Sequence, residues 1–356
     1  MPTEAEIMNA LHGVVDPELG RSIVDLKMIR DLKISDGRVA FTLALTVPSC
    51  PLRDQLLESA EAAVKALPGV KQVDITMTSM TDKERRAAIG AAAPQLPKLN
   101  KFNQVKHLIA VMSGKGGVGK SSVTALLATA LANRCQKVGV LDADITGPSI
   151  PKLFGLPPGG LRSSEQGLLP AVTGMGIKAM SINLLVESED AAVIWRGPMI
   201  SSAIGQFWTE VIWGKLDYLL VDMPPGTSDA ALTVMRNLPV NGVVLVTTPQ
   251  QLATLVVKKA VAMLHELKIP VVGVVENMSY YVCPDCGKQH SIFGPSHAEE
   301  VAKAASASVS ARLPIVPEVT DLGDAGQIEQ AAMKELDPLV ETLLNLPEAE
   351  PIAAPK

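Results

Sequence analysis

The sequence predicts an α/β fold in which helices flank a mostly parallel β-sheet, with a smaller α/β domain preceding it. Two observations lead to this fold class. Hydrophobic residues make up 47% of the chain and aromatic residues only 3%, so Ala, Val, Leu and Ile must build the core. Short, unbroken aliphatic runs alternate with loops and helical segments, which is typical of parallel strands buried on both faces. The 356 residues allow two or three domains.

Residues 1–80 are predicted to form the smaller domain. Its elements are a helix, a two-stranded hairpin, a second helix and a last strand: Glu4–His12, Ile29–Ile34 with Arg38–Leu45, Leu52–Leu67 and Val70–Thr78. Residues 81–102 fit no helical or strand period, so we expect a linker there.

The larger domain, residues 103–347, is predicted to alternate strands with helices. Its first strand, His107–Met112, leads through a Gly-rich loop into a helix over Ser121–Asn133. The other predicted strands are Lys137–Asp142, Tyr218–Asp222, Gly242–Thr247 and Val271–Val275. The Pro- and Ala-rich end of the chain, 348–356, is expected to be disordered.

Composition argues against nucleic-acid and membrane partners. The formal net charge is −5, and no basic stripe or aromatic platform for nucleic acid is present. Apolar runs are far shorter than the ~20 residues that a membrane helix needs. The N-terminus lacks a signal-peptide pattern, so we expect a cytoplasmic protein.

The Gly-rich loop has the pattern of a phosphate-binding loop, G-x-x-x-x-G-K-[ST], between a predicted strand and a predicted helix. Its residues are Gly114, Lys115, Gly116, Gly117, Val118, Gly119, Lys120 and Ser121. Backbone N–H groups at the glycines and at the helix N-terminus can bind phosphate oxygens. Lys120 would contact the β- and γ-phosphates of ATP, and the Ser121 hydroxyl would bind Mg²⁺. The expected fold class is therefore a P-loop NTPase with a mostly parallel sheet flanked by helices.

Four charged residues extend this prediction. Lys115 could stabilise phosphate charge on a facing subunit, as an arginine finger does, or it could be a solvated loop lysine. Asp142 and Asp144 follow one aliphatic strand and Asp222 follows another, at the edge of the sheet where ligands bind. A carboxylate at a strand end suits hydrated Mg²⁺, and a purely structural role is the alternative for Asp142 and Asp222.

Cys283 and Cys286 form a Cys-x-x-Cys pair, which supplies two of the four ligands that zinc or an iron–sulfur cluster requires. A two-fold dimer would bring two such pairs together. A zinc knuckle completed by His290 and a bare thiol pair are the alternatives. Cys135 is expected to be inert packing. Cys50, just before a predicted helix, could be either functional or packed.

These motifs together resemble the deviant P-loop ATPases of the MinD and nitrogenase-iron-protein type and, within that class, the Mrp/ApbC iron–sulfur cluster carrier proteins. The resemblance covers nearly the whole chain. The matching segments are Gly114–Ser122, Asp142–Pro151, Trp195–Met199, Asp222–Thr227, and Val275–Ser279 with the cysteine pair. Residues 1–80 resemble the iron–sulfur assembly domain often fused ahead of such carriers, through Asp16–Glu18 and Thr46–Pro51.

The resemblance implies roles at the nucleotide site. Lys115 would be the signature lysine that reaches across a nucleotide-sandwich dimer, and Asp144 would position the attacking water. Lys115, Lys120 and Asp144 are therefore the expected catalytic residues. Asn277 would contact adenine, and Ser122 replaces a more common Thr in the loop.

The resemblance also implies the metal ligands. Asp222 would act with Ser121 on the Mg²⁺ side of the site. Cys283 and Cys286 would hold a bridging [4Fe–4S] cluster between two subunits.

The chain departs from the family at two positions where aspartates are usual, which here are Gln251 and Val256. If those aspartates normally pair with Lys115, the resting position of this lysine and the rate of hydrolysis are left open.

The expected function is that of a homodimeric ATPase that binds a [4Fe–4S] cluster and transfers it to apo iron–sulfur proteins, with slow ATP hydrolysis and with assembly scaffold proteins among its partners. One alternative is a MinD/ParA-like positioning switch, against which the Pro-, Ala- and Glu-rich tail argues. The other is a zinc-stapled scaffold with a vestigial nucleotide site.

Overall fold

The computed structural model describes residues 2–16, 21–35, 37–45, 53–80, 99–145, 147–164, 166–186, 197–227, 229–347 and 352–353. The chain divides into two compact units, Met1–Gln95 and Leu96–Lys356, which are described separately. Most of the expected linker lies outside the described residues. Its last four residues belong to the second unit, because Leu99 is buried in that unit's core and the Asn100 side chain donates to the Gln166 carbonyl.

The first unit packs two helices against a small sheet. Its elements are α1 Glu4–His12, β1 Val15–Asp16, β2 Arg21–Ser22, β3 Ile29–Ser35, β4 Arg38–Leu45, α2 Arg53–Lys65 and β5 Gln72–Ser79. The sheet order is β3-β4-β5, with β3 antiparallel and β5 parallel to β4. Helix α1 begins with a capping box in which Thr3 and Glu6 satisfy each other's backbone N–H groups. The predicted hairpin is confirmed.

The second unit contains a long series of strands and helices. Its strands are β6 Gln104–Ser113, β7 Val138–Asp142, β8 Arg162–Ser164, β9 Gly167–Leu169, β10 Ala171–Val172, β11 Lys178–Met180, β12 Lys215–Asp222, β13 Gly242–Thr247, β14 Val271–Val282, β15 Gln289–His290, β16 Val309–Pro314 and β17 Ile352–Ala353. Its α-helices are α3 Lys120–Asn133, α4 Ile150–Leu153, α5 Gly197–Thr209, α6 Asp229–Asn237, α7 Gln251–Leu267, α8 Ala298–Ala304, α9 Pro317–Asp324 and α10 Asp337–Leu344. Short 3₁₀ turns cover Ile182–Leu184, Ile328–Gln330 and Lys334–Leu336.

The main sheet has the order β10-β11-β7-β12-β6-β13-β14-β15, with β16 added to β14 and β17 to β6. Each neighbouring pair within the run β11-β7-β12-β6-β13-β14 is parallel, and β16 is parallel to β14, which confirms the predicted mostly parallel sheet. The pairs β10–β11, β14–β15 and β6–β17 are antiparallel. Alternate residues of β6 enter two different cores. Leu108 and Met112 join the cluster that contains Trp208, whereas Ile109 joins the one that contains Leu127. Helices therefore cover both faces.

The parallel arrangement brings the carboxyl ends of the central strands to one edge of the sheet. Asp142, the last residue of β7, lies beside Asp222, the last residue of β12. Ser113 ends β6 at the same edge and is followed by the Gly-rich loop. This edge positions the candidate site.

Two predicted boundaries need correction. The tail is not disordered throughout, because Ile352–Ala353 pairs with β6 at Val105 and Gln104. Strand β13 pairs with β6 only from Ile109 onward, so the tail can pair with the same edge of β6 before that residue. Strand β14 continues past Val275 to Val282, where it forms a hairpin with β15.

Among the described residues, none of the helices combines the length and the apolar character needed to cross a membrane.

Candidate nucleotide site and cysteine hairpin

The Gly-rich loop connects β6 to α3 and borders a cavity of about 320 Å³. Residues of the loop and of the segments after β7 and β12 line this cavity. They are Ser113, Lys115, Gly116, Gly117, Gly119, Lys120, Ser121, Ser122, Asp144, Gly147, Ser149, Leu153 and Pro225. The structure thus brings most of the predicted nucleotide-binding residues together. Gly114 and Val118 support the loop from behind: a Cβ on Gly114 would lie 2.7 Å from the Val257 nitrogen, and Val118 is buried.

Glycine is required at two loop positions. Gly117 and Gly119 have φ angles of 79° and 78°, in the left-handed region that side chains disfavour. A Cβ on Gly119 would also lie 2.3 Å from the amide nitrogen of Asn277. Gly119 is the N-cap of α3, so the free N–H groups of the first helical turn point toward the loop, where an anion is favoured.

Lys120, Ser121 and Asp222 form one buried polar network. The Lys120 ammonium lies 2.8 Å from Asp222 Oδ2, and the Ser121 hydroxyl donates to the same oxygen at 2.6 Å. Thr124 donates to the other carboxylate oxygen at 2.8 Å. Asp222 itself is fully buried. A hydroxyl and a carboxylate oxygen in contact, with a lysine beside them, are the donor set that fits a magnesium-bound phosphate chain.

Asp142 holds the segment that carries Asp144. Its carboxylate accepts hydrogen bonds from the backbone N–H of Asp144 at 3.2 Å and of Ile150 at 3.3 Å, and from the Ser181 hydroxyl at 3.1 Å. Burial, and then the nearby Asp222 carboxylate, raise the pKa of Asp142 to about 8. These hydrogen bonds support a structural role for Asp142, which the sequence analysis gave as the alternative to Mg²⁺ binding.

Asp144 lines the cavity, and its Oδ1 accepts from the Gly147 N–H at 3.3 Å. It therefore stands beside the phosphate loop, where an attacking water could be held. Its role in positioning that water stays a prediction.

Lys115 has a partner within its own chain. Its ammonium donates to the side-chain oxygen of Gln250, the N-cap residue of α7. Sequence reasoning missed Gln250, because a neutral residue that is 135 positions away carries no motif. The partner of Lys115 is thus a neutral amide and not one of the aspartates that are usual in the family.

Asn277 lies on β14, and its side-chain N–H donates to the Val118 carbonyl at 2.9 Å. The structure therefore places this predicted base-contacting residue against the phosphate loop. The contact with adenine stays a prediction.

The cysteine pair sits at the tip of a hairpin between β14 and β15. We call residues 281–290 the cysteine hairpin. The Cys283 N–H donates to the Lys288 carbonyl at 3.0 Å, and the Gly287 N–H donates to the Cys283 carbonyl at 2.8 Å.

The two thiols of this hairpin are accessible: Cys283 is partly exposed and Cys286 is exposed. Hydrogen bonds from the Cys286 backbone, and then from the Asp285 backbone, lower the pKa of the Cys283 thiol. The thiolate, which is the metal-binding form, is thereby favoured.

Exposed apolar residues lie near the cysteine pair in sequence. Within the described part of the chain, no three His, Cys, Asp or Glu side chains are grouped to hold a metal ion, and His290 is accordingly not grouped with the two cysteines. Val282, Ile292 and Phe293, near the pair in sequence, are 42%, 58% and 38% exposed.

Cys135 belongs to neither the nucleotide cavity nor the cysteine hairpin. Cys135 was predicted to be packed, which is wrong: it is exposed, with φ 59°, directly after the end of α3. Helix α3 has already ended at Asn133, so Cys135 lies in the exposed turn that follows and not on the buried face of the helix. Cys50, Trp195 and Arg196 lie outside the described residues.

Comparison with protein families gives two matches. The family described as NUBPL iron-transfer P-loop NTPase matches residues 104–346. The family described as iron-sulfur cluster assembly protein matches residues 4–97.

Curated relatives match over most of the chain, and one of the two described next matches over nearly all of it. An iron-sulfur cluster carrier protein of Synechocystis is 42% identical over 346 residues, which cover 94% of this chain and 95% of that protein. A protein of the same name from Methanocaldococcus jannaschii is 47% identical over 226 residues, covering 63% of this chain and 78% of its own length.

Solved structures resemble the second unit's fold. A nucleotide-binding protein of Archaeoglobus fulgidus in complex with ADP is 44% identical, with a TM-score of 0.59, and covers 69% of this chain and 94% of its own. The cell division ATPase MinD of Pyrococcus furiosus has a TM-score of 0.52 at 20% identity, covering 68% of this chain and 100% of its own. The second likeness shows the fold alone.

Proposed function

The chain belongs to the NUBPL iron-transfer P-loop NTPase family, and from this premise we propose that it is an iron–sulfur cluster carrier that binds and hydrolyses ATP. One observation carries the proposal. The unit that contains a complete phosphate loop also presents two accessible cysteines at the tip of a hairpin, with backbone N–H groups that favour the Cys283 thiolate. The carrier names of the full-length relatives support the same function.

ATP would bind along the Gly-rich loop, with its phosphates at the loop N–H groups and at the N-terminus of α3. Lys120 would exchange its contact with Asp222 for the β- and γ-phosphates. Ser121 and Asp222 would then be free to hold Mg²⁺, which neutralises phosphate charge as hydrolysis proceeds. Asp144, which also lines the cavity, would orient the attacking water.

Lys115 would complete the catalytic set. Release from Gln250 would let its ammonium stabilise the phosphate charge that develops in the transition state, and we propose that it does so across a homodimer. A neutral partner suits this role, because it holds the lysine less tightly than a carboxylate would.

The cluster is cargo rather than a resident cofactor. Each chain supplies two thiolates, Cys283 and Cys286, and a [4Fe–4S] cluster takes about four. Two cysteine hairpins related by a two-fold axis would meet this requirement, with Val282, Ile292 and Phe293 available to shield the site from water. Apo iron–sulfur proteins would receive the cluster, and assembly scaffold proteins would supply it.

The test compares three cysteine variants after anaerobic reconstitution with iron and sulfide. Cys283→Ser and Cys286→Ser should lose most bound iron and sulfide and the broad visible absorption, yet should still bind ATP. Cys135→Ser is the matched control, since Cys135 is also an exposed thiol of the second unit, and it should retain the cluster. Full iron content in Cys286→Ser would refute the proposed carrier site.

A further inference from the structure

Strand β14 physically connects the nucleotide loop to the cysteine hairpin. Its residue Asn277 donates to Val118 in the loop, and only a few residues farther on the same strand reaches Cys283. Between these points the backbone departs from regular strand geometry. Met278 has a φ angle of 54°, and the register with β16 shifts between Glu276 and Tyr280.

Glu276, next to Asn277, is a buried carboxylate that the nucleotide chemistry does not use. It is 0% exposed. One of its oxygens accepts from the Ser279 hydroxyl at 2.5 Å, and the other accepts from the backbone N–H of His297 at 3.1 Å. Burying a carboxylate is costly unless its oxygens are hydrogen-bonded, so these two contacts are held firmly.

The two contacts close a loop around the cysteines. The chain leaves Glu276 along β14, turns at Cys283 and Cys286, returns along β15, and reaches His297, the N-cap of α8. We call residues 276–297 the cysteine-bearing segment. A single side chain therefore ties the start of this segment to its end, while the adjoining Asn277 touches the phosphate loop.

We infer that Glu276 is a positioning residue that couples the nucleotide loop to the cysteine-bearing segment, so that nucleotide binding changes the reactivity of Cys283 and Cys286. The inference rests on the proposed function, because it assumes that ATP binds the loop. The coupling requires no rearrangement of the whole unit. A displacement of Val118 acts on Asn277, and Glu276 transmits it to both ends of the segment.

Thiol alkylation in the cluster-free full chain tests this inference. The chain is treated with iodoacetamide with and without Mg-ATP, and modification is followed peptide by peptide by mass spectrometry. Cys135 is the internal reference, since it lies at the far end of α3 from the phosphate loop. In the wild type, ATP should change the rates at Cys283 and Cys286 by about fivefold or more relative to Cys135, which is the lower end of the ordinary range of allosteric coupling.

Three variants separate positioning from folding. Ser279→Ala removes one of the two contacts and should reduce the effect of ATP on the thiols, whereas Ser310→Ala, a buried serine on the adjacent strand β16, should leave it unchanged. Glu276→Gln can still accept from His297 and should retain most of the effect, and Glu276→Leu should abolish it. Urea unfolding of each variant identifies any variant that fails to fold. If Glu276→Leu does not fold, Ser279→Ala still tests the inference.

Coupling between two sites is reciprocal, which gives a second readout. The dissociation constant for ATP should therefore change when Cys283 and Cys286 are alkylated in advance, by a factor that need not equal the change in rate, because reciprocity holds for binding free energies and not for rates. If the wild type binds ATP but its thiol rates do not respond, the coupling is wrong while the proposed function survives. A full response in Ser279→Ala, or in a folded Glu276→Leu, would exclude Glu276 as the positioning residue. Failure to bind ATP at all would instead refute the nucleotide site.

Discussion

Replacing Asp142 by asparagine should remove a pH dependence from the stability of the nucleotide-free protein. The pKa of Asp142 is raised from 3.8 to about 8, first by burial and then by the neighbouring Asp222. The folded chain therefore keeps a proton on Asp142 that the unfolded chain releases near pH 4. Because the folded state binds more protons in this range, stability must fall as the pH rises from about 4 toward 8.

The size of the effect follows from one proton. A difference of one bound proton changes the free energy of unfolding by about 1.4 kcal/mol per pH unit. Between pH 5.5 and pH 7.5 the Asp142 contribution should thus fall by at most about 3 kcal/mol. His107 acts in the opposite direction, since burial lowers its pKa and its contribution is lost as the pH falls. It is present in both proteins and cancels in their difference.

The assay is urea unfolding at several pH values, followed by tryptophan fluorescence. All three tryptophans belong to the second unit, so the signal reports the unit that contains Asp142. Wild type should lose stability relative to Asp142→Asn as the pH rises, whatever the absolute stability of the variant. Parallel pH profiles for the two proteins would show that Asp142 is already ionised in the folded state and would refute the reasoning.

Three further changes test the nucleotide site. Lys120→Ala should abolish hydrolysis and weaken ATP binding by about 2 kcal/mol, the scale of a lost charge-assisted hydrogen bond, measured by calorimetry; unchanged turnover would contradict the P-loop assignment. Gln250→Glu should hold Lys115 in an ion pair and lower kcat several-fold while leaving ATP affinity within about twofold, and an unaltered kcat would show that release of Lys115 does not limit the rate. Lys115→Ala mixed with Asp144→Ala should recover part of the activity that each lacks alone, and no recovery at any mixing ratio would exclude action across a dimer.

The phosphate loop and the sheet could be predicted because their signals are local. The pattern from Gly114 to Ser121 fixes the conformation by itself: glycines occupy positive φ angles, and Lys120 starts a helix. The aliphatic runs of the central strands are unambiguous for the same reason. The strand Gly242–Thr247 was predicted with the bounds that the structure has.

The long-range parts of the site could not be predicted. Gln250 has no sequence signal for its contact with Lys115, which depends on how α7 packs against the loop. The length of β14 was underestimated because its aliphatic run ends at Val275 and polar residues follow. Glu276 is buried only because Ser279 and His297 bond its oxygens, and the latter is 21 residues away.

The first unit shows the same limit. Its two helices and the strands β3, β4 and β5 were predicted, but the short strands β1 and β2 were not. The parallel pairing of β5 with β4 is decided by the path of α2 between them and not by either strand. The prediction for Cys135 failed because a small sulfur side chain next to a helix end gives no indication that it lies in the exposed turn after the helix.

The most direct test of the account is the mass and metal content of the anaerobically reconstituted protein. Size-exclusion chromatography with light scattering gives the number of chains, and iron, sulfide and zinc assays on the same fractions give the cargo. The account predicts a dimer with about four iron and four sulfide per two chains, and a weaker dimer once the cluster is removed. A monomer carrying a complete cluster, or one tightly bound zinc per chain in place of iron, would contradict it.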